Sequence, residues 1–153
     1  MFSKQDASKL KKEFWTAFGR YMKPVLSADG EKINWINYKT GEKDIVFKMD
    51  ADSKKAFIAI EIVHPDFGMQ ELYFEQFIQL KKVFENGVGS NWIWSLHTSD
   101  EDGRTISRIY RQINEVSVFN KADWPALISF LKPAIIALDK FWSNARYSFQ
   151  SLH

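Results

Sequence analysis

KDIVFKMDADSKKAFIAIEIVH, residues 43–64, is the stretch whose reading decides the fold. It reads as two strands joined by a polar turn. In the first strand Ile45, Phe47 and Met49 alternate with Asp44, Val46 and Lys48. In the second, Ile58, Ile60 and Ile62 alternate with Phe57, Ala59, Glu61 and Val63. With both isoleucine-rich sides turned to the core, Asp44, Lys48 and Glu61 share the opposite face. A slip of two residues preserves that result and a slip of one would bury charges, so the faces are set more tightly than the register. The simplest register places Asp44 opposite Glu61.

Upstream, Asp6 or Ser8 is placed to cap a first helix running to about Met22, with Leu10, Phe14, Ala17, Phe18 and Tyr21 on one stripe and Pro24 closing it. KINWINY, residues 32–38, alternates as a strand, and KTGE is a tight connection into the hairpin. Downstream, Asp66 caps a helix over residues 67–85 that buries Tyr73, Phe74, Phe77, Leu80 and Phe84. NWIWSLH forms a fourth strand with Trp92, Trp94 and Leu96 on one side, and TISRIYRQI a fifth after the turn SDEDGR. A short extension is expected at residues 116–119. Asn120 caps the last helix, Asp123 stands at the third position of a capping box and Pro133 predicts a kink. Its stripe runs through Trp124, Ile128, Leu131, Ile135, Leu138 and Trp142. The order predicts one α+β domain over residues 1–153: helix, three-stranded meander, helix, two-stranded hairpin and long C-terminal helix, with a mainly antiparallel sheet packed by helices.

Composition narrows the function classes. Of 153 residues, 45% are hydrophobic and 16% aromatic, which excludes disorder as the main state. Net charge is +2, from 21 basic and 19 acidic residues, so this is no polybasic nucleic-acid module, although a local patch fits inside that balance. With no cysteine there is no disulfide, thiolate zinc site or cysteine nucleophile. The N-terminal residues lack a signal peptide's apolar core, and no apolar run nears the roughly 18 residues of a membrane span; a cytoplasmic protein is expected. There is no glycine-rich phosphate loop and no GxSxG.

Three groups of residues carry candidate chemistry. Asp44, Glu61 and Lys48 read either as a solvated sheet face with a cross-strand pair worth roughly 0.2–1 kcal/mol, or as two metal-holding carboxylates with a basic neighbour. Arg104, Arg108, Tyr110 and Arg111 make a basic, aromatic strand suited to nucleic acid or a protein partner; Arg108, mid-strand beside Ile106 and Tyr110, needs an acid such as Glu61 or Asp44. His64 and His97 end strands and, with Glu61, are a further metal option, while His153 is terminal. Trp15 and Trp35 are candidates for exposure and stacking.

The order of elements resembles the core of the PD-(D/E)xK nuclease superfamily, whose acid on one core strand and acid-x-Lys on the next correspond to Asp44 and Glu61. Val63 stands where the Lys belongs and Lys43 where the Pro does, leaving Lys48 as the displaced basic residue. A broader resemblance, carried by FWTAFGRYMKP, YFEQFIQLKKVFENGVGSNWIW, SRIYR and NKADWPALISFLKPAIIALDKFW, is to the bacterial domain-of-unknown-function family 4268 (DUF4268). It implies a setting beside nuclease-like and restriction-modification proteins. The expectation is a non-catalytic module that binds a protein partner or nucleic acid and needs no cofactor. The alternatives are a Mg²⁺-dependent nuclease, complete or degenerate, with Asp44 and Glu61 as metal ligands, and a structural homodimer. No membrane association is expected.

Overall fold

The computed structural model describes residues 3–152; His153 lies outside them. Helix α1 (Lys4–Met22) is followed by a long irregular segment, the hairpin β1 (Ile45–Ala51) and β2 (Lys55–Ile62), helices α2 (Phe67–Gln79) and α3 (Lys81–Gly87), the hairpin β3 (Ile93–Ser99) and β4 (Thr105–Asn114), and helix α4 (Trp124–Ala145). Short 3-10 turns flank α4 at Lys121–Asp123 and Arg146–Leu152. The four strands form one antiparallel sheet in the order β1-β2-β4-β3, so the two hairpins meet along their inner strands. The α+β class, the helix-packed antiparallel sheet and the long last helix follow from the sequence as read.

The residues at 45–62 explain the sheet. Ile45 pairs with Ile62, Phe47 with Ile60 and Met49 with Ile58; β4 continues those rows with Ser107, Ile109 and Arg111. Opposed residues of an antiparallel pair point to the same side. This first face meets the helices: Phe47 lies edge-on to Trp142 of α4, Trp94 to Phe74 of α2 and Phe84 of α3, and the Arg111 guanidinium lies over Phe130 of α4. Ile58, Ile60 and Ile62 are fully buried there, each contributing roughly 1.5–3 kcal/mol of transfer free energy. Val46, not Asp44, stands opposite Glu61. The pairing is two residues from the simplest register and keeps every side chain on its expected face.

Several local expectations are corrected. Ser3 caps α1, its Oγ accepting from the Asp6 amide, and Met22 rather than Tyr21 ends the buried stripe. Residues 32–38 form a loop, not a strand: the Asn34 carboxamide oxygen accepts from the amides of Ile36 and Asn37, an Asx-type turn that bends the backbone out of extension. Trp35 is buried, with its indole N–H donating to the Val25 carbonyl. The expected single helix over 67–85 breaks at Leu80 (φ −97°, ψ 6°), and the second piece turns Phe84 into Trp92, Trp94 and Phe141. In β3 a bulge between Ser95 and Thr98, with His97 at φ 50°, leaves Leu96 exposed instead of aligned with Trp92 and Trp94. Residues 116–119 add no strand, but Val116 and Val118 donate to the Lys54 and Asp52 carbonyls of the β1–β2 turn. Asn120 caps the 3-10 turn ahead of α4, Asp123 accepts from the Ser117 amide, and α4 runs unbroken through Pro133.

Candidate functional site: the helix-free face of the sheet

The residues that alternate with the core face form the second side of the sheet, and they fall into rows across it. Val46, Glu61, Arg108 and Ser95 make one row; Lys48, Ala59, Tyr110 and Ile93 the next; Asp50, Phe57 and Gln112 a third. The polar contacts here come from the sheet itself, from Glu101 in the β3–β4 turn and from Lys11 of α1, whose Nζ lies 2.9 Å from Asp50 Oδ1.

Arg108 is the centre of this face. Its Nε and Nη2 donate to Glu61 Oε2 at 3.0 and 2.7 Å, and Nη2 also reaches Glu101 Oε1 at 3.2 Å. The guanidinium lies 5.2 Å from the Phe57 ring centroid and 5.8 Å from that of Tyr110. Its side chain is 13% exposed and that of Glu61 5%, so the pair is largely out of water and leaving either member alone would be costly. Lys48 donates to Glu101 Oε2 at 3.1 Å, and Glu101, 49% exposed, bridges the two cations from above. Phe57 and Ala59 are buried, and the long Arg108 and Lys48 side chains lie over the Phe57 ring.

The titration behaviour follows from this. Burial works against charge on Arg108, but the Glu61 carboxylate, and then Glu101, outweigh it and hold the guanidinium above its ordinary value. Lys48 is raised in the same way, burial opposing and Glu101 and Glu61 prevailing. For Glu101, burial alone would raise the carboxyl, while its own backbone amide, Lys48 and Arg108 draw it below the ordinary glutamate value.

The residues singled out from sequence are partly brought together. Glu61 and Lys48 belong to this network, each engaged by opposite charge. Asp44 does not: it precedes β1, its carbonyl accepts from the Val63 amide, and its carboxylate lies 3.9 Å from His64 Nε2. Arg108 and Tyr110 share the face, whereas Arg111 points to the helices and Arg104 sits at the turn, bonded to Asp100 at 3.1 Å. His64 and His97 do not form a site with Glu61: His64 Nδ1 accepts from the Asp66 amide, and His97 Nε2 lies 3.2 Å from the Phe67 carbonyl. Among the described residues no group of three or more His, Asp or Glu side chains is placed to hold a metal ion. Sequence reading missed Glu101, which lies in a turn and has no periodicity to mark it.

A second polar centre joins the long loop to α4. Asp139, 5% exposed, accepts from the Tyr38 hydroxyl at 2.5 Å and from the Ala28 amide at 2.8 Å. Burial, reinforced by donation to Asp139, holds the Tyr38 phenol far above its ordinary range. Trp142 Nε1 donates to the Thr40 carbonyl at 2.7 Å. The Tyr38 and Ala28 bonds occupy both carboxylate oxygens of Asp139, and together with the Trp142 bond they tie the loop to α4.

A family model described as a domain of unknown function (DUF4268) matches residues 10–146. No curated protein and no solved structure matches the chain. The nuclease-like order of elements does not extend to the structure, because residues 32–38 supply no strand ahead of β1.

Proposed function

The chain belongs to the DUF4268 family of domains of unknown function, and from that premise we propose that it is a non-catalytic module that binds another protein through the helix-free face of its sheet. One observation carries this reading: the cations and acids at the centre of the face are already matched to one another, with Arg108 locked between Glu61, Glu101, Phe57 and Tyr110. A surface held in that way is preorganised, so a partner orders few side chains on docking, and arginine and tyrosine are residues that favour protein interfaces. Around the network Val46 and Ile93 are 39% and 50% exposed, supplying apolar contact beside the charges.

The same geometry weighs against the other readings. Phosphate binding draws on cations free to displace counterions, and here Arg108, Lys48 and Arg104 are bonded to carboxylates while Arg111 faces the helices. Metal-dependent cleavage by Asp44, Lys48 and Glu61 would require Glu61 to leave Arg108 and Asp44 to leave the neighbourhood of His64. The setting implied by the family resemblance, beside nucleic-acid-processing enzymes, makes such an enzyme the first partner to seek.

Site-specific photo-cross-linking tests this. A benzophenone amino acid at position 93 or 110 is expected to yield a discrete protein adduct in cells, and the same group at the exposed position 147 is not. Adducts to nucleic acid alone, or equal labelling at 147, would overturn the reading.

A further inference from the structure

The sheet has two outer edges, and they are treated differently. On β3 the bulge at residues 95–98 interrupts the edge, a common protection against pairing with other chains. β1 carries no such irregularity: its seven residues pair with β2 without a register shift. The Val63 amide donates to the Asp44 carbonyl and the Asp52 amide to the Lys55 carbonyl, so the even-numbered residues of β1 bond to β2. The main-chain groups of Ile45, Phe47, Met49 and Ala51 therefore turn outward. The ends of that outward row are occupied. Ile45 donates to the Glu42 carbonyl and accepts from Thr40 Oγ1, and the Ala51 amide donates to Asp50 Oδ1. Phe47 and Met49 lie between, along a groove of about 500 Å³ bounded by Trp15, Ile36 and Tyr38.

An unpaired strand edge recognises one thing well, another extended backbone. The groove sets the side-chain chemistry: its lining is mostly apolar, with Asn37 and two lysines, and because Lys48 is already bonded to Glu101 the charge offered to a ligand is that of Lys39. Lys39 is exposed. A second copy of this chain would bring another Lys39 and no carboxylate from the groove lining, so an acidic partner fits better. We propose that the edge of β1 at Phe47 and Met49 is a strand-addition site for a short extended peptide with alternating apolar and acidic side chains. It rests on the reading of this domain as an interaction module, and it lies along the edge strand, which shares Val46 and Lys48 with the Arg108 face but not Ile93 or Tyr110.

The test uses a fluorescein-labelled decapeptide of alternating valine and glutamate, followed by anisotropy against the full chain. Saturable binding is expected, with protection of the Phe47 and Met49 amides from hydrogen exchange. The same peptide N-methylated on alternate residues, and a valine–lysine decapeptide, are expected to bind at least about fivefold more weakly. Met49→Pro removes an outward N–H without touching the β1–β2 ladder and is expected to weaken binding about fivefold or more. Lys39→Glu, at an exposed loop position, is expected to weaken it about threefold, less at high salt; it and the N-methylated peptide keep the test decisive if the proline variant unfolds. No binding of the valine–glutamate peptide, or equal binding of its N-methylated form, would overturn the proposal. So would a concentration-dependent dimer that Met49→Pro abolishes, which would assign the edge to a second copy. Because the cross-linking positions 93 and 110 lie away from this groove, failure here leaves that result standing, and the reverse holds.

Discussion

Glu61 shows what a single residue means in this molecule. Its carboxylate is buried and its partner is a mostly buried arginine. Glu61→Gln, which keeps the shape and one acceptor but removes the charge facing Arg108, is expected to destabilise the fold by about 2–4 kcal/mol, read from urea unfolding. In the double variant with Arg108→Met much of that loss is recovered, giving a coupling energy of about 1–3 kcal/mol; additive losses would mean the two side chains act independently. Glu101 makes a pH prediction. Its folded carboxyl is held below the ordinary glutamate value, so its contribution is complete above about pH 4.3–4.5 and is lost as pH falls through the lower folded value. Stability measured from pH 6 to pH 3 is expected to fall less steeply in Glu101→Gln than in the parent chain. The face that Glu61 occupies is legible from alternation alone. That Arg108 needs an acid such as Glu61 or Asp44 is legible too, but the choice of Glu61 is not, because the two lie 47 positions apart, and Glu101 reaches the pair from a turn.

At the scale of elements, the segment between α1 and β1 is the instructive case. KINWINY has strand-like alternation, and no strand forms. The loop is held instead by Asp139, which bonds Tyr38 and the Ala28 amide, and by Trp142, which bonds the Thr40 carbonyl. Asp139→Ala is expected to cost about 2 kcal/mol in thermal or urea unfolding, because it leaves a partly buried hydroxyl and a partly buried amide without acceptors; Tyr38→Phe is expected to cost about 1 kcal/mol. A value near zero for Asp139→Ala would show that the loop is held by apolar packing alone. Alternation signals apolar contact on one side, and a loop pinned over a core by Trp35 and Tyr38 produces the same signal. The break at Leu80 and the bulge at His97 were equally invisible, since neither carries glycine or proline at its turning point and both serve the packing of Phe84, Trp92 and Trp94.

For the whole molecule, the organising fact is a sheet with helices on one side and its own charged side chains on the other. With a net charge of +2 and the central cations of that face paired, binding to a short DNA duplex is expected to be no tighter than about 10⁻⁴ M at physiological salt. Micromolar affinity falling steeply between 50 and 200 mM salt would reopen the nucleic-acid reading. Calorimetric titration with Mn²⁺ is expected to give no saturable heat, because Glu61 would have to leave Arg108 before it could bind the ion.

What the sequence alone determined is the α+β class, the hairpin over residues 45–62 though not its register, the face each of its side chains takes, and the family. The hairpin and its faces follow from local periodicity, where a one-residue error would bury charge, and the family from likeness along residues 10–146. The tertiary structure decided which acids meet which bases, which alternating segment becomes a loop and which strand edge stays open. Those outcomes depend on residues far apart in the chain coming within a few ångströms, and nothing in the spacing of either partner records the other.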